Sequence, residues 1–208
     1  MFPKTDELRL QSAPSVLDEL RGTECYAAVK VDGQSLTFAK YEQDGSEVKR
    51  VCSRNFCLRE VPGSPHWKAA NDLNIFANLP MNYAVQGEFA GEGIQGNRLG
   101  LRGRQFFAFQ VFDIAAQKYL DYYDFIDFCA ARSIPTVPIE WVAPLQLDLD
   151  SALRAAEGQY ASGFPREGLV IRPTKEAESS AISEYTGIPN SRASFKVINN
   201  QFLLKTGE

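Results

Sequence analysis

Lys30 stands in the apolar run "YAAVKVDGQSLTF" (residues 26–38), two positions before Asp32-Gly33. Strand alternation sends Tyr26, Ala28, Lys30 and Asp32 to one face, and Ala27, Val29 and Val31 to the other. Alone, that pattern is a hairpin with a solvent-facing lysine, closed by an Asp-Gly turn into the next strand-forming run. Other catalytic chemistries fall away first. The single histidine, His66 in "GSPHW", has no context that would make it the base of a serine or cysteine triad. Cys25, Cys52, Cys57 and Cys129 form no CxxC pair, which argues against zinc and for free thiols in a reducing, cytoplasmic setting. Residues 91–96 match G-x-G-x-x-G, but the following "NRLGLRGRQ" lacks the helix that would hold a pyrophosphate, and no Walker A segment exists. What remains is a lysine nucleophile with acidic and basic partners. Five further segments offer them: Ser53-Arg54-Asn55, Gly87-Glu88-Phe89, Phe112-Asp113-Ile114, the run Glu167 to Arg172, and Ser194-Phe195-Lys196-Val197-Ile198.

The elements that would position these groups can be read from length and pattern. A chain of 208 residues is expected to form one domain, 1–208, with a sizeable core. It is 44% hydrophobic and 23% charged, as soluble globular proteins are. No apolar run approaches the roughly 18 residues of a membrane span, and "MFPKTDELRL" lacks the apolar core of a secretory signal. Net charge is −4, which argues against a general basic coat for nucleic acid. The best local basic candidate is "NRLGLRGRQ", with Arg98, Arg102 and Arg104. Helices are predicted at "SAPSVLDELRG" (capped by Ser15, ended by Gly22), 65–78, "YLDYYDFIDFCAARS" and "SALRAAEGQYASG". Strands are predicted on both sides of Asp32-Gly33, and at "EVKRVCSRN", "YAVQGEFAG", "RQFFAFQVFDI", "EGLVIRP" and "ASFKVINNQFLLK". The class is α+β.

In order and spacing, the six segments resemble the covalent nucleotidyltransferases: ATP-dependent DNA and RNA ligases and capping enzymes. "QGEFAGEGIQGNRLG", "FFAFQVFDI" and "REGLVIRP" bring the likeness closest to the RNA ligase 2-like branch, over residues from about 20 to the C-terminus. K-x-D-G alone is a weak signal, and six elements in series are a strong one. The resemblance implies antiparallel sheets flanked by helices with an ATP pocket between them. It implies that Lys30 attacks the α-phosphate of ATP and carries AMP, with backbone at Val29 and Val31 touching adenine. Arg54 and Glu88 would hold the ribose side, and Phe112 would stack on adenine. Glu167 would bind Mg²⁺ or Mn²⁺, Lys196 would contact the α-phosphate, and Lys205 would be a second phosphate contact or a surface lysine. The implied substrate is RNA with 5′-phosphate and 3′-hydroxyl ends, such as a nicked duplex, in RNA repair.

Two departures qualify the likeness. Ile198 stands where a second basic residue often follows Lys196 by two positions. The chain also ends at "KTGE" with no recognisable OB-fold or other accessory domain, so an accessory domain or subunit supplied elsewhere is expected to help hold the substrate. The rival readings are a DNA ligase core, a capping guanylyltransferase core, and a non-catalytic nucleic-acid or partner-binding module on the same fold. A binding module has no need of the Lys30, Glu88, Glu167 and Lys196 set.

Overall fold

Segments with apolar residues at alternate positions form two sheets in the computed structural model, which describes residues 2–4 and 6–207. In chain order the first strands are β1 (Leu8–Arg9), β2 (Glu24–Lys30), β3 (Gln34–Gln43), β4 (Ser46–Ser53), β5 (Cys57–Leu58) and β6 (Tyr83–Gly91). There follow β7 (Arg104–Asp113), β8 (Lys118–Tyr119), β9 (Ile139–Pro144), β10 (Gly168–Pro173) and β11 (Phe195–Ile198). The helices are α1 (Val16–Glu19), α2 (Pro65–Asp72), α3 (Ile75–Asn78), α4 (Tyr122–Ala130), α5 (Leu149–Ala156), α6 (Ser180–Thr186) and α7 (Asn200–Thr206). The α+β class expected from sequence is what the chain adopts.

The chain folds as two compact units, each built around its own sheet. One comprises the described residues of Met1–Thr5 with Asp32–Val137. Its six-stranded antiparallel sheet has the order β5-β4-β3-β6-β7-β8. Leu36, Phe38, Val51, Val85, Phe106 and Val111 make the inner face, packed against Ala70 of α2, Ile75 of α3, and Phe125 and Cys129 of α4. Burial of each such side chain contributes roughly 1.5–3 kcal/mol. The other unit comprises Asp6–Val31 and Pro138–Glu208. Its five-stranded sheet has the order β1-β11-β10-β2-β9, antiparallel except for the β1–β11 pair. Cys25, Ala27, Leu169, Ile171, Phe195 and Val197 face a core closed by α1, α5 and α6.

Several expectations need correction. Asp32-Gly33 does not close a hairpin: β2 pairs with β9 and β10, whereas β3 pairs with β4 and β6. Gly33 is required for another reason, since a Cβ there would lie 2.5 Å from the Phe89 carbonyl oxygen. The helical pattern over 65–78 is broken at Asn74, which adopts the left-handed conformation (φ 48°). Ser15 precedes α1 without making a side-chain cap. The helix read through Gly163 stops at Ala156, and "NQFLLK" is helix α7 rather than strand. There Asn199 accepts from the Gln201 N–H at 2.9 Å and starts a new helix, so Phe202 is buried while Leu204 is exposed. The G-x-G-x-x-G stretch opens no α-helix; only a short 3₁₀ turn, Gln95–Asn97, follows.

Candidate functional site

Lys30 ends β2 on the face opposite the apolar core. Antiparallel register places Ala28 beside Val170 and Val170 beside Lys196, so Lys196 shares that face two strands away, roughly 10 Å across the sheet. Lys30 Nζ lies 2.7 Å from Glu167 Oε1, with the two side chains only 23% and 17% exposed. Both backbones are fixed by one phenol. Tyr160 Oη donates to the Lys30 carbonyl at 2.6 Å and accepts from the Glu167 N–H at 3.1 Å. The Asn199 N–H donates to the Glu167 carbonyl at 3.0 Å. Gly168 follows with φ +147°, and a Cβ there would meet the Val197 carbonyl oxygen at 2.0 Å. Only glycine lets β10 approach β11 this closely just after the acid.

The loop that carries Tyr160 is itself anchored. Arg166 is buried; its guanidinium donates to the carbonyls of Ala155, Ala156 and Glu157 at the end of α5, and to Glu140 Oε2 at 2.6 Å. Those donors satisfy carbonyls that a helix C-terminus leaves unpaired.

Toward the other end of β2, the same face is closed. Arg172 is 1% exposed and donates to Glu7 Oε1 (2.6 Å), Ser194 Oγ (2.8 Å) and Tyr26 Oη (3.3 Å). Burial pushes the Glu7 carboxyl up, but Arg172, with Lys30 and Arg192 further off, outweighs that and holds it below the usual carboxylate range. Burial likewise works against the charge on Arg172, and Tyr26 and Glu7 more than restore it. The face thus grades from a sealed ion pair to the accessible amine of Lys30.

Among the remaining residues singled out in this unit, Lys196 Nζ lies 3.3 Å from Asp6 Oδ1. Val29 turns toward the core, and its N–H donates to the Pro138 carbonyl at 2.8 Å, so that donor is already engaged. Val31 is buried. Lys205 sits in the exposed last turn of α7 with Nζ 4.5 Å above the Phe164 ring. No group of three or more His, Cys, Asp or Glu able to hold a metal occurs among the described residues. Glu167 therefore fits a cation only in the manner of sites that combine one or two carboxylates with phosphate oxygens and water.

In the other unit, register puts Ser35, Glu88 and Phe107 side by side, and Thr37, Gln86 and Gln110 in the next row of the same face. Gln110 Nε2 donates to Gln86 Oε1 at 2.7 Å. Arg54 is exposed in the loop after β4 and lines a cavity of about 470 Å³ with Ser35, Thr37 and Gln86. Phe112 is 3% exposed, packed against Ala39, Ala84 and the edge of Tyr119. The half-buried ring that adjoins Glu88 is Phe107. Arg98 is tied to Asp32 at 2.8 Å and Arg104 donates to the Glu92 carbonyl at 2.8 Å, and Arg102 is exposed in the same stretch. His66 packs on Phe89, and burial with the nearby Arg104 holds it below the usual imidazole range.

Tyr160, Glu7 and Phe107 were not singled out from sequence, and Arg172 was named only as the end of a motif segment. Of the first three, only Phe107 carried a local signal, its place in the aromatic run of β7. The others act through partners too far along the chain for any local pattern to reveal.

Comparison with known proteins comes down on one family. An RNA ligase variant from Naegleria gruberi with a lysine changed to alanine, solved with ATP and Mn, is 30% identical with a TM-score of 0.83. The match covers 98% of this chain and 58% of that one. The same ligase with PPi is 30% identical (TM-score 0.83, 99% and 58% covered), and an apo aspartate-to-alanine variant 29% (0.84, 99% and 58%). This chain thus spans less than two thirds of the length of those ligases. Comparison with curated proteins gives no match. A family model for RNA ligase matches residues 23–198, from just before the strand bearing Lys30 through the strand bearing Lys196, and the chain belongs to the RNA ligase family.

Proposed function

We propose that this chain carries the adenylyltransferase chemistry of an ATP-dependent RNA ligase, with Lys30 as the nucleophile. The observation that carries this is the Lys30–Glu167 contact of 2.7 Å, with both backbones held by Tyr160. The Lys30 amine attacks the α-phosphorus of ATP, a P–N bond forms, and pyrophosphate leaves with the electrons of the broken P–O bond. A 5′-phosphate of RNA then takes the AMP and frees Lys30. A 3′-hydroxyl attacks that activated phosphate, AMP departs, and the strand is sealed.

An ammonium paired with a carboxylate has no lone pair to offer, so Lys30 must release a proton to solvent before attack, and drawing Glu167 away removes the charge that holds that proton. A divalent ion, Mg²⁺ or Mn²⁺, would compete for the carboxylate and offset phosphate charge. Lys196, on the same sheet face, would meet charge developing on the α-phosphate. The ATP and Mn of the Naegleria gruberi structures support this choice of nucleotide and ion.

In the other unit, Arg54 and Glu88 are assigned to the ribose by family likeness. Phe107, half-buried beside Glu88, is better disposed than the enclosed Phe112 to stack on a base. The test is incubation of the full chain with α-labelled ATP and Mn²⁺, denaturing electrophoresis, and a chase with 5′-phosphorylated nicked RNA. Label should join the protein and pass to RNA. Label that never joins the protein would dismiss the reading, and equal labelling by GTP would favour a capping-type enzyme.

A further inference from the structure

Two of the four cysteines, Cys25 and Cys129, are buried in the cores of the two units. The other two meet. Cys52 on β4 and Cys57 on β5 are directly opposed, with Sγ atoms 2.8 Å apart. The Ser53 N–H donates to the Phe56 carbonyl at 2.8 Å, so the next pair along the ladder is the non-hydrogen-bonded kind. At such pairs the α-carbons stand about 4.5 Å apart, inside the span a disulfide accepts. The four residues between them are Ser53-Arg54-Asn55-Phe56.

The geometry points to Cys52 and Cys57 as a redox-active dithiol whose disulfide form clasps the two ends of the loop that presents Arg54. The two thiols are unequal in a useful way. Cys57 is exposed, whereas Cys52 is 5% exposed and burial pushes its thiol up. Cys57 is therefore the one to meet an incoming low-molecular-weight disulfide. Its thiolate attacks one sulfur of that disulfide, forming a mixed disulfide and expelling one thiolate. Cys52, as thiolate, then attacks Cys57 Sγ and expels the second. The reagent is reduced by two electrons to two thiols, which take up the two protons the cysteines lose, and the protein gains one S–S bond. Both sulfurs border the cavity that Arg54 lines, so the thiol–disulfide state of the surroundings would govern how freely Arg54 moves.

The experiment treats the full chain with oxidised glutathione, then denatures and alkylates it. The expected product is two hydrogens lighter, with Cys25 and Cys129 alkylated and a peptide joining Cys52 to Cys57. Hydrogen exchange at the Ser53 and Phe56 amides, which donate to the Phe56 carbonyl and Ser53 Oγ, should slow by about tenfold or more and recover on reduction, because the bridge restricts local opening. Cys57→Ser should form no bridge and show no change in exchange. Alkylation of all four cysteines, a glutathione adduct that persists on Cys57, or unaltered exchange in the bridged protein would overturn the proposal. None of these readouts depends on ligase activity.

Discussion

The sheet that carries Lys30 and the sheet that carries Glu88 each bury one apolar face, and they use the opposite face differently. Beside Lys30 the polar groups are charged and paired: Lys30 with Glu167, Lys196 with Asp6, Arg172 with Glu7. Beside Glu88 they include neutral side chains, Thr37, Gln86 and Gln110, and the exposed guanidiniums of Arg54 and Arg102 stand on loops. Paired charges on strands fix a reactive amine in place at the expense of its reactivity, which returns only when a partner is drawn away. Amides and hydroxyls with cations on loops suit recognition of a polar ligand whose shape, rather than reactivity, must be met. The contrast predicts large effects from the first sheet and graded ones from the second.

Among the groups around the nucleophile, the largest effect should come from Glu167→Ala. Losing the proposed cation contact should slow AMP labelling by about a hundredfold or more and flatten its Mn²⁺ dependence. Glu167→Asp should keep a fraction of the activity. A metal titration of labelling rate checks this, and an unchanged dependence would reduce the acid to a structural role.

Next comes Arg172→Met, which leaves the enclosed Glu7 carboxylate unpaired. The expected loss is about 3–5 kcal/mol in denaturant unfolding, with Glu7→Gln restoring part of it in the double variant. The pH dependence follows from the same pair. The Glu7 carboxyl is held low in the folded chain, so it contributes stability above its ordinary range, lost as pH falls through its folded value. Glu7→Gln should flatten the acid limb of the stability curve and leave the alkaline limb unchanged.

A smaller effect belongs to Tyr160→Phe. The phenol makes two hydrogen bonds, each contributing about 0.5–1.5 kcal/mol, so stability should fall by about 1–3 kcal/mol and labelling should slow by roughly tenfold. A change in midpoint without a change in rate would make Tyr160 a packing residue only.

The smallest effect should come from Arg102→Ala. An exposed arginine alters stability by less than about 0.5 kcal/mol. If it meets RNA phosphate, its loss should lower the salt slope of RNA binding by about one. Arg98→Ala should instead disturb folding locally, since it leaves the buried Asp32 without its guanidinium.

How much of this was legible in the sequence depends on the distance over which each signal acts. β6 and β7 were read almost to the residue, because alternating aromatic and small side chains mark a strand locally. Lys30 and Glu167 were singled out by motif, but their contact joins residues 137 positions apart and only the register of β2 on β10 makes it. The Asp32-Gly33 hairpin failed because a turn signal says that the chain reverses, not which strand it will pair with. Arg172 closes a segment marked by motif, but its partner Glu7, 165 residues away, carried no local mark at all. Phe112 was favoured by its motif position. The sheet register instead encloses it and brings Phe107 to Glu88.

The most direct test of Lys30 as the AMP-bearing residue is proteolysis and mass mapping of the chain after incubation with ATP and Mn²⁺. Lys30 should carry an adduct of AMP through an acid-labile P–N bond. Lys30→Ala and Lys30→Arg should carry none, since neither methyl nor guanidinium can supply the lone pair. AMP on Lys196 or another lysine, with Lys30 unmodified, would contradict the assignment.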